Sequence, residues 1–178
     1  MKRRLLPSLA VLAIWAVGIA HAAIDPALQV KIDQQLVSAK ALAAEPAIVA
    51  AAKSYDAAPS FDALMMTQEQ WAELNVGDSA LSGLSDSAAS AVLGRSGSPA
   101  VLELFVSGAN GGKIAFVGKP ETWSDEGLPR LEVPLKGEVW QREYTADGKS
   151  VVEVAVPVLL GYKPIGVLVI KLDPRKLK

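Results

Sequence analysis

The residues best suited to chemistry fall in two short stretches. In Thr122-Trp123-Ser124-Asp125-Glu126 an indole stands beside a pair of carboxylates. A flat aromatic can cover a small molecule while a neighbouring carboxylate fixes a cationic or hydroxyl group. The competing role for Trp123 is to anchor its loop on the core, with Asp125 and Glu126 turned to water. Further on, Trp140, Arg142 and Tyr144 alternate with Val139, Gln141 and Glu143, so in an extended strand the first three share one face. On such a face Arg142 could hold a carboxylate in a bidentate pair. The same row would equally serve as exposed cross-strand pairs. Arg130, from the same stretch as Trp123, adds one more candidate cation.

Other apparent motifs fail on context. Gly108-Ala109-Asn110-Gly111-Gly112-Lys113 looks like a phosphate loop, but its spacing is short. Ile114 stands where a hydroxyl residue is needed, and strand-like sequence flanks it on both sides. It reads as a turn. Glycosidase chemistry needs carboxylates on two sides of a sugar, which the Asp125-Glu126 dipeptide does not supply. Asp147-Gly148 offers one carboxylate where a calcium loop needs several oxygens. Met65 and Met66 read as core filling, not as a metal site. Lys171, Arg175, Lys176 and Lys178 could touch anionic lipid but read first as a solubilising tail.

The elements that must position these residues are bounded by composition. The chain has 178 residues, 51% hydrophobic and 21% charged, enough apolar material for one compact domain. Lys plus Arg number 18 against 19 Asp plus Glu, which provides no basic field for nucleic acid. There is no cysteine and one histidine, His21, so disulfides, thiolate nucleophiles, zinc fingers, covalent haem and iron–sulfur clusters are excluded. No metal or cofactor is expected.

Lys2, Arg3 and Arg4 precede an apolar run over residues 5–20, followed by Ala20-His21-Ala22. That pattern predicts a secretory signal peptide over residues 1–22, cut after Ala22, with the working domain at residues 23–178. As a helix the run would span about 24 Å, short of the roughly 30 Å hydrocarbon core, which favours cleavage over a retained anchor. An exported, periplasmic protein without stable membrane insertion follows. Cleavage also removes His21, leaving neither imidazole nor thiol. General acid–base catalysis would then fall to strongly shifted carboxylates, lysines or tyrosines, so an enzyme is not expected.

Asp25-Pro26 supplies a helix cap and first turn, and Leu28, Ile32, Leu36, Ala39 and Ala43 recur at helical steps. Pro46 either kinks this helix or starts a second one, continuing to about Tyr55. Residues 57–60 read as a break. Thr67 and Gln70 have capping-box spacing for a short helix carrying Trp71 and Leu74, and a further helical piece spans about 86–93. From Pro99 the period becomes strand-like. Residues 101–107 and 113–118 flank an Asn110-Gly111-Gly112 turn, residues 138–145 and 149–160 flank Asp147-Gly148, and residues 165–172 follow Gly161-Tyr162-Lys163-Pro164. Five strands in a meander-like run, after a helical N-terminal third, predict an α+β domain with helices on one face of an antiparallel sheet. The long connection, residues 119–137, carries Trp123 and Arg130, and loops of that length are commonly functional.

Several of these segments, in this order, resemble stand-alone periplasmic Cache (PDC-like, PAS-like) sensor domains over roughly residues 26–173. They are Ala44-Glu45-Pro46-Ala47-Ile48-Val49-Ala50-Ala51-Ala52, Trp71, the Asn110-Gly111-Gly112 hairpin, the Trp123 loop, and Val154-Ala155-Val156-Pro157-Val158 followed by Pro164-Ile165-Gly166-Val167-Leu168. The resemblance implies a long N-terminal helix packed along a five-stranded PAS-like sheet, with a small-molecule pocket between the sheet and the loop after the second strand. It also implies an organic-acid or amino-acid-like ligand. Receptors of this type continue from the last strand into a transmembrane helix, whereas residues 171–178 carry no apolar stretch. The implied output therefore passes through a separate protein, such as a membrane receptor or kinase. The alternative is a periplasmic structural or protein-interaction module with no small ligand.

Overall fold

The computed structural model describes residues 24–57, 66–75 and 77–177. The expected signal peptide and its cleavage site lie outside the described residues, as does most of the break expected at residues 57–60. Asp25 accepts hydrogen bonds from the amides of Ala27 and Leu28, and Pro26 opens the helix without wasting a donor, giving α1 (Pro26–Ala43). Pro46 has no amide hydrogen with which to continue the α1 ladder, so the chain restarts there as α2 (Pro46–Ala57), bent 64° from α1. Thr67 and Gln70 form the capping box of α3 (Gln68–Glu73), which buries Trp71. A 3-10 turn (Ser79–Leu81), α4 (Ser82–Ser85) and α5 (Ala88–Arg95), capped by the Ser87 hydroxyl, complete the helical third. Among the described residues no single helix is long and apolar enough to cross a membrane.

Five antiparallel strands follow: β1 (Val101–Gly108), β2 (Lys113–Val117), β3 (Trp140–Ala146), β4 (Lys149–Leu160) and β5 (Lys163–Leu172). This is the α+β architecture with a five-stranded antiparallel sheet that the sequence predicts. The spatial order is β2-β1-β5-β4-β3, so the meander is broken at one point. β2 and β3 lie on opposite edges, and residues 118–139 carry the chain from one edge to the other. β5 takes the centre because it is apolar on both sides: its residues from Ile165 onward are all buried. Asp147 and Gly148 both have positive φ (50° and 71°), the backbone that a two-residue hairpin requires.

Strand alternation divides the sheet into two apolar faces. Leu104, Val106, Val152, Val154, Val156, Leu168 and Ile170 pack with α1 and α2. Phe105, Phe116, Ala155, Val167 and Val169 form the other face, under Trp71, Leu81, Trp123 and Leu131. The expectation of helices on one face thus holds for α1 and α2 but is revised for the short elements. The second face is as apolar as the first, and leaving it bare would expose it to water, so α3, the Leu81 turn and the long connection cover it.

Candidate functional site

The second face carries the candidate site, and a bulge puts its first member there. Ser107 pairs with Lys113 while Val106 pairs with Ala115, leaving Ile114 as an extra residue in β2. Strict alternation back from Phe116 would send Lys113 to the α1–α2 side. The added residue reverses that, and Lys113 is fully buried with its ammonium 4.5 Å from the centre of the Phe105 ring.

The long connection is clamped onto this face by α3. Trp71 donates its indole N–H to the Pro120 carbonyl (2.7 Å), Gln68 bonds the Glu121 carbonyl and the Trp123 amide (both 2.9 Å), and Lys119 bonds the Leu74 carbonyl (2.6 Å). Trp123 is buried against Trp71, ring centres 5.1 Å apart. The connection then forms a helical turn, α6 (Pro129–Glu132), which buries Arg130. Gly111, with φ of 90°, brings the β1–β2 turn against the loop. Its carbonyl accepts the Asp125 amide at 2.9 Å, and a Cβ there would stand 2.5 Å from the Glu126 nitrogen.

These contacts converge on Asp125, which is withdrawn from solvent. Its Oδ1 lies 2.7 Å from Lys113 Nζ and 2.7 Å from Arg130 Nη2, with Arg130 Nε at 3.1 Å and Thr122 Oγ1 at 3.3 Å. Its Oδ2 accepts the Ser107 hydroxyl at 2.6 Å. Arg130 reaches past it to Glu153 Oε1 (2.7 Å), and the other oxygen of Glu153 pairs with Arg142 at 3.2 Å. Glu103, Lys171, Glu153 and Arg142 stand opposite one another across β1, β5, β4 and β3, a row of alternating charge along one face.

The sequence-predicted residues therefore separate into two groups. Asp125 and Arg130 are brought together in the buried network, and Trp123 is buried against Trp71 in the apolar cluster. Trp140, Arg142 and Tyr144 share one face, as their alternation requires, and lie at its rim. The Arg142 guanidinium carbon is 4.4 Å from the Tyr144 ring centre and 5.4 Å from that of Trp140, and its side chain is 43% exposed. Glu126 is exposed. Two grooves, of about 380 and 470 Å³, lie at the α1–α2 corner beside Val139 and between α1 and β1, and none of the seven predicted residues lines either.

Charge pairing sets the protonation of the network. Burial pushes Lys113 down to about 8, opposed by Asp125. Burial alone would raise the Asp125 carboxyl, but Lys113 and Arg130 outweigh it and hold the group below the ordinary carboxylate range. At neutral pH Lys113 and Asp125 are therefore an ammonium and a carboxylate. Tyr144 is raised, first by burial and then by Glu153.

Sequence reasoning missed Lys113, Ser107 and Glu153. Glu153 carried a signal, because a single carboxylate inside Val151-Val152-Glu153-Val154-Ala155-Val156 must find a cation if the strand is buried. Lys113 did not, since its orientation depends on the bulge.

No protein-family model matches the chain, and no curated protein matches it. Among solved structures it is similar to the sensor domain of E. coli DcuS, at 16% identity and a TM-score of 0.49, over 86% of this chain and 96% of that one. It is also similar to the sensor domain of the V. cholerae histidine kinase DctB, at 13% identity and a TM-score of 0.46, over 83% of this chain. The likeness spans 52% of the DctB chain.

Proposed function

We propose that this chain is an exported, periplasmic ligand-binding domain that takes up a small organic solute and passes the result to a separate protein, such as a membrane receptor or kinase. The observation that carries the reading is Arg142, a partly exposed guanidinium flanked by the Trp140 and Tyr144 rings beside a closed ionic network. A carboxylate on an organic acid or amino-acid-like molecule would dock on Arg142, with the two rings covering its apolar part. The connection bearing Trp123, Asp125, Glu126 and Arg130 would shift over it, and the altered loop surface would be read by the partner. Lys113, Arg130, Asp125 and Glu153 are paired with one another and the Ser107 hydroxyl is buried beneath the loop, which suits binding better than turnover.

A thermal-shift screen of the purified protein against organic acids and amino acids tests this. At least one compound should stabilise the wild type and fail to stabilise Arg142→Gln. No stabilisation by any compound would remove the reading. The second reading, a protein-interaction module without a small ligand, is favoured by the burial of Trp123 and Asp125, which closes the loop on side chains alone. It would be selected if Arg142→Gln weakened capture of a protein partner while no solute bound.

A further inference from the structure

We infer that Lys113, Arg130, Ser107 and Thr122 form a cradle for a small carboxylate, and that Asp125 is its resident occupant, supplied by the protein's own loop. The cradle is separate from the Arg142 position, and among the described residues Glu153 joins the two.

The argument rests on what holds the donors. Each of the two cations is fixed by groups other than Asp125. Lys113 lies over the Phe105 ring and within 3.3 Å of the Ser107 hydroxyl. Arg130 is held by Glu153 at 2.7 Å and by the Thr122 hydroxyl at 2.9 Å, with its guanidinium 5.8 Å from the same Phe105 ring. The donors thus converge on one point from β1, β2, α6 and the start of the long connection. A carboxylate placed there meets two cations and two hydroxyls in a site closed to water, where charge-assisted hydrogen bonds are strongest. Asp125 arrives at that point from a segment whose next residues, Glu126, Gly127 and Leu128, are exposed. Its backbone ties there are the Asp125 amide to Gly111, the Leu128 amide to the Asp125 carbonyl and the antiparallel bridge between Ser124 and Gly112.

The recognised chemistry is accordingly that of formate or acetate: one carboxylate, no more than a methyl group of apolar volume, and no cation. Asp125 supplies the same group from a tether. Its high local concentration keeps free anions out and the loop shut. A solute that enters this site does so by exchanging its carboxylate for that of Asp125, which frees the loop.

Removing the occupant tests the inference. In Asp125→Ala, about 100 mM sodium formate should raise the melting temperature by about 3–5 °C over sodium chloride of equal ionic strength. The wild type, its cradle full, should respond at most weakly, and Lys113→Met/Asp125→Ala should lose the response. An Asp125→Ala protein that melts identically in the two salts overturns the inference. So does a wild type or double variant that responds as strongly as Asp125→Ala, because formate would then act elsewhere. If Asp125→Ala does not fold in chloride, refolding by dilution replaces melting: recovery in formate but not chloride supports the cradle, and equal failure in both removes it.

Discussion

The Lys113 ammonium and the Asp125 carboxylate meet at 2.7 Å with both side chains withdrawn from solvent, one from an edge strand and the other from a loop eighteen residues removed from Ser107 on the neighbouring strand. Breaking such a pair leaves a buried charge without its partner. Lys113→Met or Asp125→Asn should therefore each cost about 3–5 kcal/mol in urea unfolding. The double variant, which removes both charges, should cost less than the two single losses combined. Full additivity would show that the two groups do not act together.

Trp123 and Trp71 form the aromatic lock of the long connection, ring centres 5.1 Å apart and planes tilted by 44°. Trp123→Ala should cost about 3–5 kcal/mol through the cavity it leaves, while Trp123→Phe should cost less. The near-ultraviolet circular dichroism arising from the indole pair should be lost in both. An alanine variant as stable as the wild type would mean that the loop is not held through this ring.

Stability should depend on pH with a definite sign. Lys113 in the folded protein sits at about 8, below its ordinary 10.5. Between those values the unfolded chain binds more protons, so this group's contribution to stability rises with pH across that window. The gap between wild type and Lys113→Met should widen from pH 8 to 10.5, by at most about 1.4 kcal/mol per pH unit. For Asp125 the folded group lies below its ordinary 3.8. Its contribution is present above that value and is lost as the pH falls further. Urea titrations at a series of pH values read both, and a gap that narrows between pH 8 and 10.5 would contradict the assignment for Lys113.

Gly111 and Gly118 provide an internal comparison, since both have positive φ (90° and 70°) but only Gly111 faces a close neighbour. Alanine at Gly118 should show the conformational cost alone, about 1 kcal/mol. Alanine at Gly111 should cost distinctly more, because its Cβ presses on the Glu126 nitrogen, and should loosen the Asp125 loop to protease. Equal melting temperatures for the two variants would mean that the turn does not hold the loop.

Much of the fold could be read from local pattern. Thr67 and Gln70 announced a capping box, Asp147-Gly148 a two-residue hairpin, and Asp25-Pro26 a helix start, because each signal depends only on residues within one turn. The strand order could not be read the same way. Which edge β3 joins is decided by the burial of β5 on both sides and by where residues 118–139 can cross, and neither is a local property. The candidate site divides along the same line. Trp140, Arg142 and Tyr144 share a face because alternation demands it. Arg130 owes its central position to the α6 turn, and Lys113 follows a glycine-rich turn whose partner strand carries the decisive register.

The extra residue at Ile114 means that the electrical character of this sheet is set by a count and not by an identity. Were Ile114 to fall into regular register, the parity of the residue before it would swap, driving an ammonium into the hydrocarbon layer beneath the two long helices and leaving the loop acid facing bare methylene. The register between β1 and β2 therefore governs where this charge goes more than most replacements of the charged residues themselves would.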